Sequence, residues 1–206
     1  MATGYPVGLT VDYPERKLNR LTSAFRIFVA IPIIIILILL MGGNFHSGIK
    51  EGGGFIAGIG LIFMPLVLMI LFRRKYPRWW YDWNLNMAGF MYRVRAFICL
   101  LTDVYPSTDE EQSVHLELTY PDAAGLNRWL PLVKWFLAIP HIIVLVCLGI
   151  ASLVVIIIAW FAILFTGTYP RGMFDFVVGV MRWALRVVAY AIILVTDKYP
   201  PFSLQE

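Results

Sequence analysis

The sequence predicts a mainly α-helical membrane protein built from two tandem, parallel repeats, with four membrane spans and two in-plane helices in total. Three observations lead to this fold class. Of the 206 residues, 60% are hydrophobic and only 15% are charged, and the mean hydropathy is +0.75, which is too apolar for one water-soluble domain of this size. Blocks of sequence recur at fixed spacing. Each copy also contains apolar runs that approach the length of a membrane span.

The repeat is visible when the chain is aligned with itself. Leu18-Asn19-Arg20 recurs as Leu126-Asn127-Arg128 at an offset of 108 residues, and Tyr76-Pro77-Arg78 recurs as Tyr169-Pro170-Arg171 at an offset of 93. The first copy therefore carries about 15 additional residues, which fall around residues 44–54. We divide the chain into a first repeat, residues 1–108, and a second repeat, residues 109–206.

Each repeat begins with alternating apolar residues. Residues 7–13 and residues 114–120 place every second side chain on one apolar face, which is the period of a β-strand. Two isolated strands are only marginally stable in water. We therefore expect the two strands to pair with each other or with equivalent strands in another subunit.

Two apolar runs follow the strand in each repeat and predict a transmembrane helical hairpin. A short turn near Gly149 is expected to separate the two spans of the second repeat. The four predicted spans cover, approximately, residues 22–43, 54–73, 129–148 and 151–166.

The third helix of each repeat, about residues 79–102 and 171–196, is long enough to span but carries charges in its interior. Asp175, Arg182 and Arg186 share one helical face, as do Asp82 and Arg93 in the other copy. A charge at the bilayer centre costs about 2.5 kcal/mol or more on insertion scales. We therefore predict amphipathic helices that lie in the membrane interface, each with an acid near its start, where the helix dipole stabilises a carboxylate.

The distribution of basic residues leads to the same topology. With two spans per repeat, every basic cluster lies on the cytoplasmic side, as the positive-inside rule requires, and the two copies run parallel. The first residues lack the pattern of a secretory signal. The predicted location is the cytoplasmic membrane, crossed several times, with both termini in the cytoplasm.

The basic residues of the third helices form the candidate ligand site. Guanidinium groups on the polar face of an interfacial helix are suited to contact lipid phosphates, and anionic lipids in particular. The alternative is intramolecular pairing with acids such as Asp82, Asp175 or Glu117. The candidate headgroup ligands are Arg93, Arg182, Arg186, Arg78 and Arg171.

Seven of the ten tyrosines precede proline, which favours extended backbone at the tyrosine. Tyrosine and tryptophan also place an apolar ring with a polar tip at the headgroup level. We interpret these residues as interfacial anchors at the ends of elements, and a recognition surface for a lipid headgroup or a proline-type ligand is the alternative. The predicted anchors are Tyr13, Tyr76, Tyr120, Tyr169, Tyr199, Trp79 and Trp183.

Several segments carry a family resemblance. These are residues 169–190, residues 196–204, and the upstream Tyr120-Pro121, Asn127-Arg128-Trp129 and 134–141 segments. They resemble a bacterial family of integral membrane proteins described as domain of unknown function 4389, present here as two copies of which the second is the closer. The resemblance implies a membrane protein without an assigned activity, so it implies no catalytic or ligand-binding residues.

Signatures of enzyme chemistry are missing from the sequence. His46, His115 and His141 do not have the spacing of a metal site, and the glycines at residues 52–54 lack the lysine and hydroxyl partners of a phosphate loop. Asp103 and Asp197 follow the third helices within Thr-Asp-x-Tyr-Pro and are expected to be turn residues that also approach basic side chains. A proton relay that joins them with Asp82 and Asp175 is the alternative, and it would require these carboxyl groups to be buried. We expect neither a metal nor a cofactor, and no catalytic residue.

The leading function hypothesis is a non-enzymatic structural or lipid-organising protein that self-associates at the inner leaflet. A channel or small transporter with a pathway between repeats or subunits is the second hypothesis, although the spans contain almost no polar residues to line a pore. An accessory subunit of a larger membrane complex is the third. The partners expected are membrane lipids and further protein subunits. Nucleic acid is not expected, because the basic residues flank apolar runs.

Overall fold

The computed structural model describes residues 5–40, 69, 76–108, 110, 112–122, 125–127 and 129–205. The predicted span at residues 54–73 therefore lies outside the described residues, apart from Met69. The described helices and strands are β1 (Val7–Val11), α1 (Arg20–Ala24), α2 (Arg26–Leu40), α3 (Arg78–Ile98), β2 (Val114–Leu118), α4 (Leu130–Thr166) and α5 (Arg171–Val188), with a π-helical segment at Ala189–Ile193.

The two strands form a small antiparallel sheet. Val7 lies opposite Leu118 and Val11 lies opposite Val114, so the prediction that the strands pair with each other is confirmed. Each strand is shorter by two residues than predicted, because the pairing ends before Tyr13 and Tyr120. The period-two pattern buries one face of the sheet, while Thr10, His115 and Glu117 are exposed on the other.

The predicted break near Gly149 is wrong, because α4 is one continuous helix of 37 residues. A single glycine in a helix costs only about 1 kcal/mol relative to alanine, and no proline or cluster of polar turn residues accompanies Gly149. The helix ends instead at Gly167, whose φ of 76° is the left-handed conformation that terminates many helices. One long helix thus replaces the predicted hairpin at residues 129–148 and 151–166.

The first predicted span, residues 22–43, is described as far as Leu40 and consists of α1 and α2, which are separated at Phe25. Asn19 caps α1, since its side-chain oxygen accepts hydrogen bonds from the backbone N–H groups of Leu21 and Thr22. Helix α1 therefore starts where the sequence places a residue suited to a helix cap.

Residues 18–23 run antiparallel to the end of α4. The Leu18 N–H donates to the Gly167 carbonyl (2.9 Å), Arg20 donates to the Phe165 carbonyl (3.1 Å), and the Trp160 indole donates to the Ser23 carbonyl (3.0 Å). As the residue number rises in α1, the number of its partner in α4 falls. Helix α1 therefore lies beside the C-terminal end of α4, far from Lys134 at the other end.

The elements pack in three layers. Helix α5 contacts both α4 and β1, and α3 contacts both α2 and β2. Helices α3 and α5 consequently form a middle layer between the sheet and a third layer made of α1, α2 and α4. We call this third layer the apolar layer.

Helices α3 and α5 have nearly the extents predicted for the third helices, but their surroundings differ from those predicted. Instead of facing lipid, α5 is packed on both sides, and residues such as Trp183, Leu185 and Arg186 are buried. An amphipathic pattern shows that one face of a helix needs an apolar partner. It does not show whether that partner is lipid or protein, and here it is the rest of the protein.

The C-terminal segment crosses α5 at a glycine. A Cβ atom on Gly179 would lie 2.9 Å from Leu204 Cβ and 3.0 Å from the Leu204 carbonyl oxygen. We expect Gly179→Ala to lower the free energy of unfolding by about 1–3 kcal/mol, because the backbone of the segment must move. Gly172→Ala is the matched control, since its Cβ meets open space. Thermal unfolding in detergent checks this, and equal midpoints for both variants would contradict it.

Candidate functional site

Helix α4 carries a long exposed apolar surface. The buried residues of α4 lie at both ends of the helix and at Ser152, and they are Pro131, Lys134, Ala138, His141, Ser152, Ala159 and Ile163. The opposite side carries large exposed side chains along the whole helix, for example Phe136 (72% exposed), Ile143 (61%) and Phe165 (78%). Contiguous apolar surface of this extent marks an interaction site.

Helices α1 and α2 extend the same surface. Leu21, Ile27 and Phe28 are all more than two-thirds exposed, and further isoleucines of α2 are partly exposed. Since these helices lie in the same layer as α4, the exposed apolar side chains form one face of the molecule. We call it the apolar face.

Among the described residues, two helices have the length and composition to cross a membrane, Leu130–Thr166 and Arg171–Ile193. They differ in burial, because 11% of the most apolar 18-residue window is buried in the first and 72% in the second. The second helix is therefore a core helix of this fold. The apolar surface of the first helix is exposed.

The length of α4 limits how it could meet a bilayer. A helix of 37 residues is about 55 Å long, whereas the hydrocarbon core of a bilayer is about 30 Å thick. Exposed apolar residues begin at Leu132 and continue to Phe165, so the apolar surface is also longer than the hydrocarbon core. An upright helix would leave part of this surface outside the hydrocarbon.

The opposite face of the molecule is polar. The outer side of the sheet carries Thr10, His115 and Glu117, and the His115 imidazole lies 3.0 Å from the Asp12 carboxylate in an exposed hydrogen-bonded pair. The molecule thus has an apolar face on α1, α2 and α4 and a polar face on the sheet.

The arginines predicted to bind lipid instead hold segments of the protein together. Arg182 donates to the Leu9 carbonyl (2.8 Å) and the Leu204 carbonyl (3.2 Å). Arg186 is 2% exposed and donates to the carbonyls of Ser203 (3.3 Å) and Gln205 (2.7 Å). These contacts attach β1 and the C-terminal segment to α5. The Arg186 guanidinium is thus directed to carbonyl oxygens of the C-terminal segment.

Arg93 makes the corresponding contacts in the first half of the chain. It donates to the carbonyls of Ser107 (3.0 Å) and Thr108 (3.3 Å), in the segment that follows α3. The structure thus uses the arginines of both third helices to bind carbonyl oxygens of the segment that returns across the helix.

Arg78 and Arg171 contact tyrosines of the other half of the chain. The Arg171 guanidinium lies over the Tyr13 ring at 4.4 Å, and that of Arg78 lies 6.0 Å from the centre of the Tyr120 ring. Cation–π contacts of this kind stabilise by about 0.5–1 kcal/mol at exposed sites. Both arginines are exposed, so their guanidinium groups also remain accessible.

The tyrosines also link the two halves. The Tyr13 hydroxyl donates to the Tyr169 carbonyl, and the Tyr120 hydroxyl donates to the Tyr76 carbonyl (2.8 Å). Tyr76 and Tyr169 themselves are almost fully buried, so they face the core rather than a headgroup region. Burial raises the pKa of the Tyr76 phenol by desolvation, which keeps it a neutral donor to the Ile193 carbonyl (2.7 Å).

The remaining predicted site residues divide by exposure. Trp183 is buried and donates to His141 Nδ1 (3.0 Å), whereas Trp79 is 68% exposed and Tyr199 is 43% exposed. Asp82 and Asp175 are exposed and each is the fifth residue of its helix, just past the first turn. Only the exposed members of the predicted anchors can meet a membrane or solvent.

Within the described residues, two buried cations of the apolar layer form ion pairs with partly buried carboxylates. Lys134 in α4 is fully buried and contacts the Asp197 carboxylate (2.8 Å) and the Thr196 carbonyl (2.7 Å). Arg26 in α2 contacts the Asp103 carboxylate in the same way and donates to the Thr102 carbonyl (3.0 Å). We call these the lysine clamp and the arginine clamp, since each ties the start of an apolar helix to the segment after a third helix.

Both clamp carboxylates have a second partner. The Asp197 carboxylate accepts from the Asn127 backbone N–H at 2.6 Å, and the Asp103 carboxylate accepts from the Asn19 backbone N–H at 2.6 Å. The sequence predicts Asp103 and Asp197 to be turn residues that also approach basic side chains. A signal for the clamps was present, because Arg26 and Lys134 share the offset of 108 residues that relates the two copies of Leu-Asn-Arg.

Comparison with known proteins finds a family model that matches part of the second half of the chain. The model of a family described as a domain of unknown function (DUF4389) matches residues 129–203. This single match covers α4, α5, the π-helical segment and both members of the lysine clamp. No curated protein and no solved structure matches the chain.

Within the described part of the chain, no group of three His, Cys, Asp or Glu side chains is arranged to hold a metal ion.

Proposed function

We propose that the protein is a non-enzymatic, structural membrane protein that organises lipid by inserting its apolar face into the cytoplasmic leaflet of a bacterial inner membrane. The observation that carries this proposal is the open apolar surface of α1, α2 and α4 opposite a polar sheet. Burying such a surface in lipid is favourable by about 25 cal/mol per Å² removed from water. The polar face of the sheet would remain in the cytoplasm.

In this proposal α4 lies in the plane of the membrane. Its apolar surface is longer than the hydrocarbon core is thick, and its buried side is covered along its length by the middle layer. An upright α4 would carry the sheet with it and bring Asp12, His115 and Glu117 toward the hydrocarbon, where charged groups are costly. A helix that lies flat enters about 5–10 Å into the leaflet and leaves those residues in water.

We further propose that the chain is an internal duplication whose pseudo-two-fold axis runs along the membrane normal. The two clamps, the two tyrosine-to-carbonyl bonds and the two arginine–tyrosine contacts support it, because each pair uses residues at matching positions of the two halves. The Tyr5 hydroxyl donates to the Lys198 carbonyl (3.2 Å), so residues close to both ends of the chain are adjacent. This supports termini on the same side of the membrane.

Self-association in this proposal uses the apolar layer rather than the strand edges. The outer edge of β1 is engaged by Arg182 at the Leu9 carbonyl, and that of β2 by the Tyr81 hydroxyl at the Leu118 carbonyl. A second chain that added a strand would have to displace these side chains. Helices in lipid associate by packing, so neighbouring apolar layers are the more accessible contact.

Nitroxide spin labels along α4 test the in-plane orientation. Labels at Leu132, Val146 and Phe161, all about half exposed, are expected to report depths in the bilayer that agree within about one helical turn, roughly 5 Å. A label at Thr10 on the sheet is the control and is expected to contact water. Electron paramagnetic resonance with oxygen and nickel relaxants measures the depths. Labels at residues 132 and 161 on opposite sides of the bilayer would contradict the proposal.

The lipid-organising role is tested separately, by measuring lipid packing in the same vesicles. An order-sensitive fluorescent dye is expected to report a change in lipid packing that rises with the amount of bound protein, because each inserted face displaces lipid from one leaflet. If the protein binds the vesicles without any change in lipid packing, it is a membrane protein, but lipid organisation is not its function.

A further inference from the structure

A cavity opens between the two helical segments of the apolar layer. It has a volume of about 500 Å³ and lies between α1–α2, the C-terminal half of α4 and the end of α3. Its walls are apolar and include Ala30, Ile34, Leu153, Ile157 and Trp160. Ligand pockets in proteins have volumes of roughly 300–1,000 Å³. The cavity is therefore large enough for part of a lipid chain.

Two buried hydrogen-bond donors lie in the wall of this apolar cavity. Ser23 is fully buried and Arg26 is 3% exposed. Within the described part of the chain, the Ser23 hydroxyl and the Arg26 Nε–H have no hydrogen-bond partner. A buried donor without a partner is destabilising, so an acceptor oxygen supplied by a ligand would stabilise both groups.

The charge of the site restricts the kind of acceptor. The terminal nitrogens of Arg26 already bind the Asp103 carboxylate and the Thr102 carbonyl in the arginine clamp. Because the guanidinium charge is compensated by Asp103, a neutral carbonyl oxygen fits better than a second carboxylate, which would face Asp103 as a like charge. The apolar walls require that this carbonyl be attached to a hydrocarbon chain.

We propose that this cavity binds one acyl ester of a membrane glycerophospholipid, with the ester carbonyl oxygen accepting hydrogen bonds from Ser23 and Arg26 and the acyl chain lying along α2 and α4. The inference rests on the proposed membrane location. A helix lying flat in a leaflet is at the boundary between headgroups and acyl chains, which is the depth of the ester groups.

A second cavity in the same protein provides a matched comparison. It has a volume of about 360 Å³, lies between α4 and α5, and is lined by apolar side chains such as Ala138, Ile142 and Leu145 together with Trp135. The Trp135 indole N–H already donates to the Ala191 carbonyl at 2.9 Å. This cavity can accept a hydrocarbon chain but has no buried donor for an ester, so it should not distinguish an ester from an ether.

Native mass spectrometry of the full chain, released from gentle detergent, tests the assignment with two phosphatidylcholines of equal chain length. One has ester-linked chains and the other has ether-linked chains, which lack the carbonyl oxygen. We expect the wild-type protein to retain the ester lipid about five-fold better, the effect of one to two net hydrogen bonds. Ser23→Ala should abolish most of this preference.

Variants that fill the cavities provide the positional control. Ile157 in the first cavity and Ile142 in the second are each 50% exposed, so tryptophan fits at either position without disturbing the core. Ile157→Trp is expected to remove the preference for the ester lipid. Ile142→Trp should leave that preference unchanged.

Three results would overturn the assignment. These are equal retention of ester and ether lipids by the wild-type protein, a preference that survives Ser23→Ala, and a preference that is lost equally in Ile142→Trp and Ile157→Trp. Flotation of the wild-type protein with vesicles separates this failure from that of the proposed function. A protein that floats but shows no ester preference loses only the cavity assignment, whereas one that does not float loses both.

Discussion

Replacing Asp197 by alanine is expected to lower the free energy of unfolding by about 3–5 kcal/mol, because the variant leaves the ammonium group of Lys134 buried without its carboxylate partner. Lys134 is fully buried in α4, and the carboxylate lies 2.8 Å from its nitrogen. The same change also removes the acceptor of the Asn127 N–H. Chemical unfolding in detergent micelles, followed by circular dichroism, measures the difference.

Two further variants isolate the cause of this loss. Asp175→Ala removes an exposed carboxylate from α5 and is expected to change stability by less than about 0.5 kcal/mol. The double variant Lys134→Met with Asp197→Ala removes both charges and should recover most of the stability, since an apolar replacement of a buried pair is often neutral. If Asp197→Ala destabilises no more than Asp175→Ala, the lysine clamp does not hold α4 to the C-terminal segment.

The elements that follow from local pattern could be predicted from the sequence. Alternation at residues 7–13 and 114–120 identified both strands, and they pair as one of the two expected arrangements. The extents of α3 and α5 were also close to those expected, because proline precedes each helix at Pro77 and Pro170. These features depend on residues that are close together along the chain, so a single sequence is enough to predict them.

The continuity of α4 could not be predicted in the same way. By composition, the run from Leu130 to Thr166 fits two short spans and one long helix equally well. The two arrangements differ in the elements that pack against the run, and those elements are distant in sequence. The expected turn at Gly149 relied on the assumption that an apolar run must be cut to the thickness of a bilayer. In the structure the middle layer, rather than the bilayer, accompanies the helix along its length.

The roles of the arginines depended on contacts that are distant in sequence. Arg182 reaches Leu9, which lies 173 residues earlier in the chain, and Arg186 reaches the C-terminal segment. Helical spacing placed both arginines on one polar face, but the groups opposite that face belong to other elements. The clamps were closer to prediction, because Asp103 and Asp197 were expected to approach basic side chains after the third helices.

Three aspartates on the apolar face are expected to release the protein from membranes. Phe136, Ile143 and Ile150 are 61–72% exposed on α4, and replacing each by aspartate removes about 2 kcal/mol of apolar burial in lipid. The combined loss of about 6 kcal/mol lowers the partition coefficient by about four powers of ten, at 1.4 kcal/mol for each power. Flotation of the purified variant with vesicles measures the bound fraction.

A variant of equal charge on the opposite face shows whether the effect belongs to the apolar face or to net charge. Thr10, Thr119 and Gln205 are exposed outside the apolar layer, and aspartate at all three changes the charge by the same amount. This variant should float like the wild-type protein, because none of its substitutions lies where lipid is proposed to contact the chain. Equal release of both variants would point to repulsion from anionic lipid. Unchanged flotation of the α4 variant would show that the apolar face meets something other than a bilayer.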